Sequence, residues 1–185
     1  MTQTLSVAAL TLVIAAALVL VRLHTLPTGR KPIRDAVSDY GTTRFHVYYR
    51  VMVVALGAGA ACLALALGRV GGVATGALVW LWIFAGSRIL IARFMTARPG
   101  HRLTTEARIH LLLAAAAFTS IAFAAPTVST ELDLAHGLAK LVVVAAVATL
   151  VTRVVQPLTI AFGLAERLLY AAFIVWMAVV AISLL

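Results

Sequence analysis

Residues 50–93 read RVMVVALGAGAACLALALGRVGGVATGALVWLWIFAGSRILIAR, and two apolar runs, Val51–Leu67 and Val73–Ile91, fill most of that stretch. Each is close to the roughly 20 residues a helix needs to cross a hydrocarbon core of about 30 Å. Gly68 to Gly72 leaves room only for a very short turn, so the runs are expected to form a tight antiparallel hairpin. The turn carries a single arginine, Arg69, whereas Arg50 precedes the first run and Arg88 and Arg93 close the second. Short cytoplasmic loops keep their Lys and Arg while outer loops shed them. The turn should therefore lie outside and the open ends of the hairpin at the cytoplasmic surface.

The same unit extends in both directions. Further apolar runs occupy Leu5–Val21, Ile109–Ala125, Leu134–Val155 and Leu168–Leu185. Thirteen of the fifteen Lys and Arg fall in alternate connections: Arg22, Arg30, Lys31, Arg34, Arg44 and Arg50 in the first; Arg88, Arg93, Arg98, Arg102 and Arg108 in the third; Arg153 and Arg167 in the fifth. The second connection has Arg69 and the fourth Lys140. Inside lipid each backbone N–H and C=O must be paired within its segment, which makes runs of this length helical. No polar/apolar alternation of the kind a lipid-facing barrel needs is present. The expected fold is all-α: a polytopic membrane protein, one six-transmembrane-helix bundle over residues 1–185, with a polar loop at 22–50. It is expected in the plasma membrane, with both termini outside.

Composition excludes most other classes. The chain is 63% hydrophobic and 11% charged, with mean hydropathy +1.07. A soluble domain is about half apolar and about a quarter charged. The net charge of +9 would point to nucleic acid in a soluble protein, but here it gathers on one membrane face, where anionic headgroups account for it. Cys62 stands alone in an apolar run, so it forms no intrachain disulfide and no CxxC pair. No Lys or Arg precedes Arg22, so the first run reads as a retained helix and not a signal peptide. Pro126 is expected to stop the fourth helix and Pro157 the fifth. Gly57, Gly59, Ala60 and Ala61, with Gly72 and Gly76 at GxxxG spacing, point to close packing within the hairpin. A homo-oligomer or a membrane-protein partner is the other use of such a surface.

Charges inside a bilayer are the usual pointers to function. No Asp or Glu lies near the middle of a run, which counts against a proton- or cation-coupled transporter. Arg88 and Arg153 are the most embedded charges and are expected to snorkel toward the headgroups. Glu166 shares a membrane end with Arg153, and an ion pair between them is expected. Asp35 and Asp39, beside Ser38 in the basic first loop, are expected to neutralise arginines. Glu131 and Asp133 are assigned to the solvated entry of the fifth helix. His110 enters the fourth run about one turn below the cytoplasmic surface. No HxxxH, HExxH, GxSxG, GxxxxGK[ST] or GxGxxG pattern occurs, so the motifs imply neither a metal nor a cofactor.

The loop Pro32-Ile33-Arg34-Asp35-Ala36-Val37-Ser38-Asp39-Tyr40-Gly41 resembles a signature of a bacterial multi-pass family known as domain of unknown function 998. Phe94, Gly100, Thr104, Ile109 and His110 are similar to the family's segment between helices three and four, although Ala97 stands where an acid is expected. Gly163-Leu164-Ala165-Glu166-Arg167, followed by Trp176, resembles its sixth helix. The resemblance implies six transmembrane helices and no established activity. The Ser-Asp-x-Gly loop is also similar to that of the Frag1/DRAM/Sfk1 group, which implies a lipid-related role and a non-cytoplasmic loop. The arginine distribution places the loop in the cytoplasm instead.

The chain is thus expected to be a non-enzymatic integral membrane protein that binds lipids with anionic headgroups, or a partner, through a basic cytoplasmic cap. Ser38, Asp39, Tyr40, Arg88, His110, Arg153, Glu166 and Arg167 are the candidate ligand-binding residues. Two alternatives remain open. One is a small transporter or channel with a polar path through Ser87, Thr119, Ser120 and Thr149. The other is a lipid-headgroup-modifying enzyme using Asp35, Asp39 and His110.

Overall fold

A computed structural model describes residues 1–96 and 104–185. Ala97, Arg98, Gly100 and Arg102, which enter the charge distribution and the resemblance, lie outside the described residues. Among the described residues the chain forms six α-helices: α1 (Thr2–Thr25), α2 (His46–Val70), α3 (Thr75–Ile91), α4 (Thr105–Glu131), α5 (His136–Val154) and α6 (Phe162–Ser183). Two 3₁₀ segments, Val37–Thr42 and Leu158–Ala161, lie in the first and fifth connections. Among the described residues five helical segments are long and apolar enough to cross a membrane, and α3, with 17 residues, is a shorter apolar helix. The protein is an all-helical membrane bundle.

Each helix packs on its neighbours in sequence, and α6 returns to α1 to close the ring. The residues that α1 buries, Ser6, Ala9, Val13, Ala16, Leu20 and Leu23, recur every three or four positions. They form one stripe of an outward-facing helix, while Val7, Ile14, Leu18 and Val21 point away from the core. Helix α2 packs on both α1 and α3, and small residues make that possible. A Cβ on Gly57 would lie 2.7 Å from the Ala85 carbonyl oxygen of α3, and one on Gly59 would lie 3.1 Å from Val13 of α1. Gly76 meets open space. Close packing therefore falls on Gly57 and Gly59, and the Gly72/Gly76 spacing plays no part in it. Gly71 and Gly72 serve the turn instead, both at φ of 78°, a backbone region that a Cβ disfavours.

Pro157 follows the end of α5 as expected, but Pro126 does not stop α4, which continues to Glu131. The far end of α4 is held by tertiary contacts that outweigh the missing N–H. Val128 and Ser129 are buried, and Trp176 Nε1 of α6 donates to Ser129 Oγ at 2.9 Å. The Thr127 hydroxyl bonds the Phe123 carbonyl at 2.9 Å, one residue beyond the Ala122 carbonyl that Pro126 leaves without its helical donor. Glu131 ends α4 and does not lead into α5. Its carboxylate accepts from the Ala74 N–H at 3.0 Å and so caps the entry to α3.

Candidate functional site

The first connection does not hang in solvent. It folds back under the bundle and is bolted to the first two turns of α6. Leu164 N–H donates to the Ile33 carbonyl at 2.9 Å. The Glu166 carboxylate accepts from the Val37 N–H at 2.6 Å. Arg167 donates through Nη1 to the carbonyls of Pro32, Asp35 and Gly163 at 2.6 to 2.8 Å, and through Nε to His24 Nε2 at 2.6 Å. Its Nη2 lies 3.2 Å from the Tyr40 hydroxyl. Gly163 is required by this approach, because a Cβ there would stand 2.4 Å from the Asp35 oxygen and 2.6 Å from the Pro32 oxygen.

The acids expected to neutralise arginines bond to the backbone. Asp35 accepts from Lys31 N–H at 2.8 Å, and Asp39 from Ala36 N–H at 3.1 Å, closing the turn into the 3₁₀ segment. Burial pushes the Asp39 carboxyl above its ordinary value, against the lowering pull of Arg30. The expected Arg153–Glu166 ion pair does not form. Glu166 is buried and turned toward Val37, while exposed Arg153 lies with its guanidinium carbon 5.2 Å from the Phe162 ring centroid. The reason is the loop, which offers Glu166 a nearer donor.

Arg88 also departs from expectation. It does not snorkel; it is 1% exposed and stays among aromatic rings. Its guanidinium carbon lies 4.8 Å from the Tyr170 ring centroid, 5.7 Å from Phe118 and 6.0 Å from Phe84. Nη2 bonds the Tyr170 hydroxyl. A buried guanidinium is expensive unless it is paired or faces π-systems, and here the rings take the place of headgroups. His110 is 2% exposed, stacks on Tyr49 with centroids 6.5 Å apart, and places Nδ1 3.0 Å from the Phe94 carbonyl oxygen. Among the described residues, Arg88 Nε and His110 Nε2 have no hydrogen-bond partner.

These groups meet at one cavity of about 780 Å³ along the α4–α5 seam. Its polar end is formed by Ser38, Asp39, Tyr49, Arg88, His110 and Glu166, with Arg153 also on the wall. Its apolar walls run along α4 from His110 to Phe123 and along α5 from Val143 to Arg153. At 1.5 Å per residue these walls are about 15 to 20 Å long, comparable to one leaflet of the hydrocarbon core. Leu111, Phe123, Val147 and Leu150 line the cavity yet are 37 to 65% exposed, so it opens sideways toward lipid.

Six of the eight expected site residues, Ser38, Asp39, Arg88, His110, Arg153 and Glu166, line this cavity. Tyr40 and Arg167 do not; they belong to the clamp behind the loop. Tyr49 and Tyr170 belong to the cavity without having been expected there. The signal for Tyr170 lay in its position four residues after Glu166, on the same helix face. The proposed polar path divides: Thr119 and Thr149 line the cavity, but Ser87 and Ser120 do not. The Asp35, Asp39 and His110 set does share the cavity wall, with both carboxylates occupied by backbone donors.

A closed ring of apolar helices with a buried polar site at one end defines a small multi-pass integral membrane protein. Over residues 6–183 the chain matches the family described as "Protein of unknown function (DUF998)", and it belongs to that family. No curated protein and no solved structure matches it.

Proposed function

We propose that the protein is a non-enzymatic membrane protein that takes an amphiphile into the α4–α5 crevice from the side, with the head group at the Arg88–His110 end. The observation that carries this reading is one cavity with lipid-open apolar walls and a polar end whose lining residues include two buried groups without partners among the described residues. Its volume lies within the range of about 300 to 1,000 Å³ usual for small-molecule sites. Dispersion and apolar burial along the walls would hold a chain, at about 0.8 kcal/mol per buried methylene relative to water. The Lys and Arg distribution supports a cytoplasmic polar end, outside termini, and α3 as a sixth span. The likeness of the loop to the Frag1/DRAM/Sfk1 group agrees with a lipid-related role.

The test is photocrosslinking with an alkyl-diazirine amphiphile on the purified chain in nanodiscs, followed by peptide mapping. Labels are expected on α4 between residues 111 and 123 and on α5 between 143 and 150. Ala114→Phe, which fills the crevice, should remove them. Uniform labelling of all outward helix faces, unchanged by Ala114→Phe, would overturn the reading.

A further inference from the structure

Hydrogen-bond polarity at the buried end narrows the class of head group. The Phe94 carbonyl can only accept, so His110 Nδ1, 3.0 Å away, carries the ring hydrogen. In the neutral imidazole this leaves Nε2 as a lone-pair acceptor. Arg88 Nε, by contrast, is a donor whatever its surroundings. The two groups without partners among the described residues are therefore one acceptor and one donor, both buried, on two residues that line the same cavity.

We infer that the site takes a long-chain carboxylic acid: the carboxyl's carbonyl oxygen accepts from Arg88 Nε–H, and its O–H donates to His110 Nε2. This rests on the crevice reading above and names its ligand class. The acid's proton lies between its second oxygen and Nε2, and whichever atom holds it, the number of bonds and the net charge of the site are the same. A head group that brings its own proton adds no net charge to a buried place, where an extra ion is costly. A sulfate or phosphodiester monoanion can accept from Arg88 but has no hydrogen for Nε2. An ester likewise leaves Nε2 unpaired, and an unmade buried hydrogen bond is what the site would penalise.

Equilibrium binding of radiolabelled hexadecanoic acid to the detergent-solubilised full chain tests this, with methyl hexadecanoate and hexadecyl sulfate as competitors of equal chain length. The acid is expected to bind, and both competitors to be at least about tenfold weaker. His110→Phe keeps a ring against Tyr49 and should weaken the acid about tenfold while leaving the sulfate unchanged. An ester or sulfate that competes as well as the acid overturns the inference, and so does acid binding indifferent to His110→Phe. The acid–ester comparison uses the unaltered chain, so it decides the matter even if the variant fails to fold. If the inference falls while Ala114→Phe still blocks all three probes, the crevice reading stands. If Ala114→Phe blocks none, or no probe binds, that reading falls as well.

Discussion

Replacing Gly163 with alanine separates two physical expectations of opposite sign. Helix propensity alone favours alanine over glycine by up to about 1 kcal/mol at an interior position, and Gly163 lies inside the first turn of α6. The contacts of this glycine argue the other way. Its added Cβ would stand 2.4 Å from the Asp35 oxygen, 2.6 Å from the Pro32 oxygen and 2.9 Å from Arg167 Nη1. Two of those atoms are backbone and cannot rotate away. Overpacking of this kind costs about 1 to 3 kcal/mol, and relief by lifting the loop would strain the neighbouring Leu164–Ile33 and Glu166–Val37 bonds. A net loss near 2 kcal/mol in loop docking raises the undocked population about 30-fold. Trypsin reads this population at Arg30 and Arg34, because cleavage follows the open fraction when reclosing is fast. Gly163→Ala should be cut there about 30-fold faster than the parent chain. Gly86→Ala, where a Cβ meets open space, should be cut at the parental rate. Parental resistance in Gly163→Ala, with an unchanged or higher melting midpoint, would refute the reasoning.

Glu166→Ala removes the acceptor of a buried N–H and is expected to cost about 1 to 3 kcal/mol, lowering the thermal midpoint by several degrees; an unchanged midpoint would mean that the Val37 bond contributes nothing. Asp39 holds its proton more tightly in the folded chain than its ordinary 3.8 implies, so its contribution to loop docking falls as pH rises through the interval above that value. Asp39→Asn keeps an oxygen for the Ala36 N–H without the charge. It should melt no earlier than the parent at neutral pH and show a flatter midpoint between about pH 4 and 7; a parental slope would count against burial as the cause. Gly57→Ala, with a Cβ 2.6 Å from Ile89 Cγ1 and 2.7 Å from the Ala85 oxygen, should lower stability by about 1 to 3 kcal/mol. Gly76→Ala should be neutral or stabilising, and equal midpoints for the two variants would contradict the assigned α2–α3 packing.

The helices were legible in the sequence because the bilayer imposes their length and hydropathy, and residues 50–93 display both. Helix ends were less so. The runs at Ile109–Ala125 and Val51–Leu67 extend in the fold to Thr105–Glu131 and His46–Val70, since polar residues continue a helix past the lipid once tertiary partners take up its terminal groups. Pro126 shows the same override. At the site, the identity of the important residues was readable from charge placed at an unusual depth, but their partners were not. Arg88 reads as a snorkelling residue unless Tyr170, Phe118 and Phe84 are known to surround it. Glu166 reads as a partner for Arg153 unless the loop is known to fold back on α6. Both errors come from contacts between residues far apart in the chain, which no local spacing encodes.

The clamp between the first connection and α6 also bears on which phase supplies a guest. Leu164, Glu166 and Arg167 fasten the water-facing end of the crevice with backbone and charge-assisted bonds, whereas its lateral lips, Leu111, Val147, Leu150 and Phe123, are apolar side chains that part at little cost. If the crevice takes an amphiphile as proposed, entry along the membrane plane would be the easier route, and the rate of filling would follow how much of the compound is dissolved in the surrounding leaflet. Two such compounds that bind equally well but partition differently would then fill the crevice at different rates from the same total concentration.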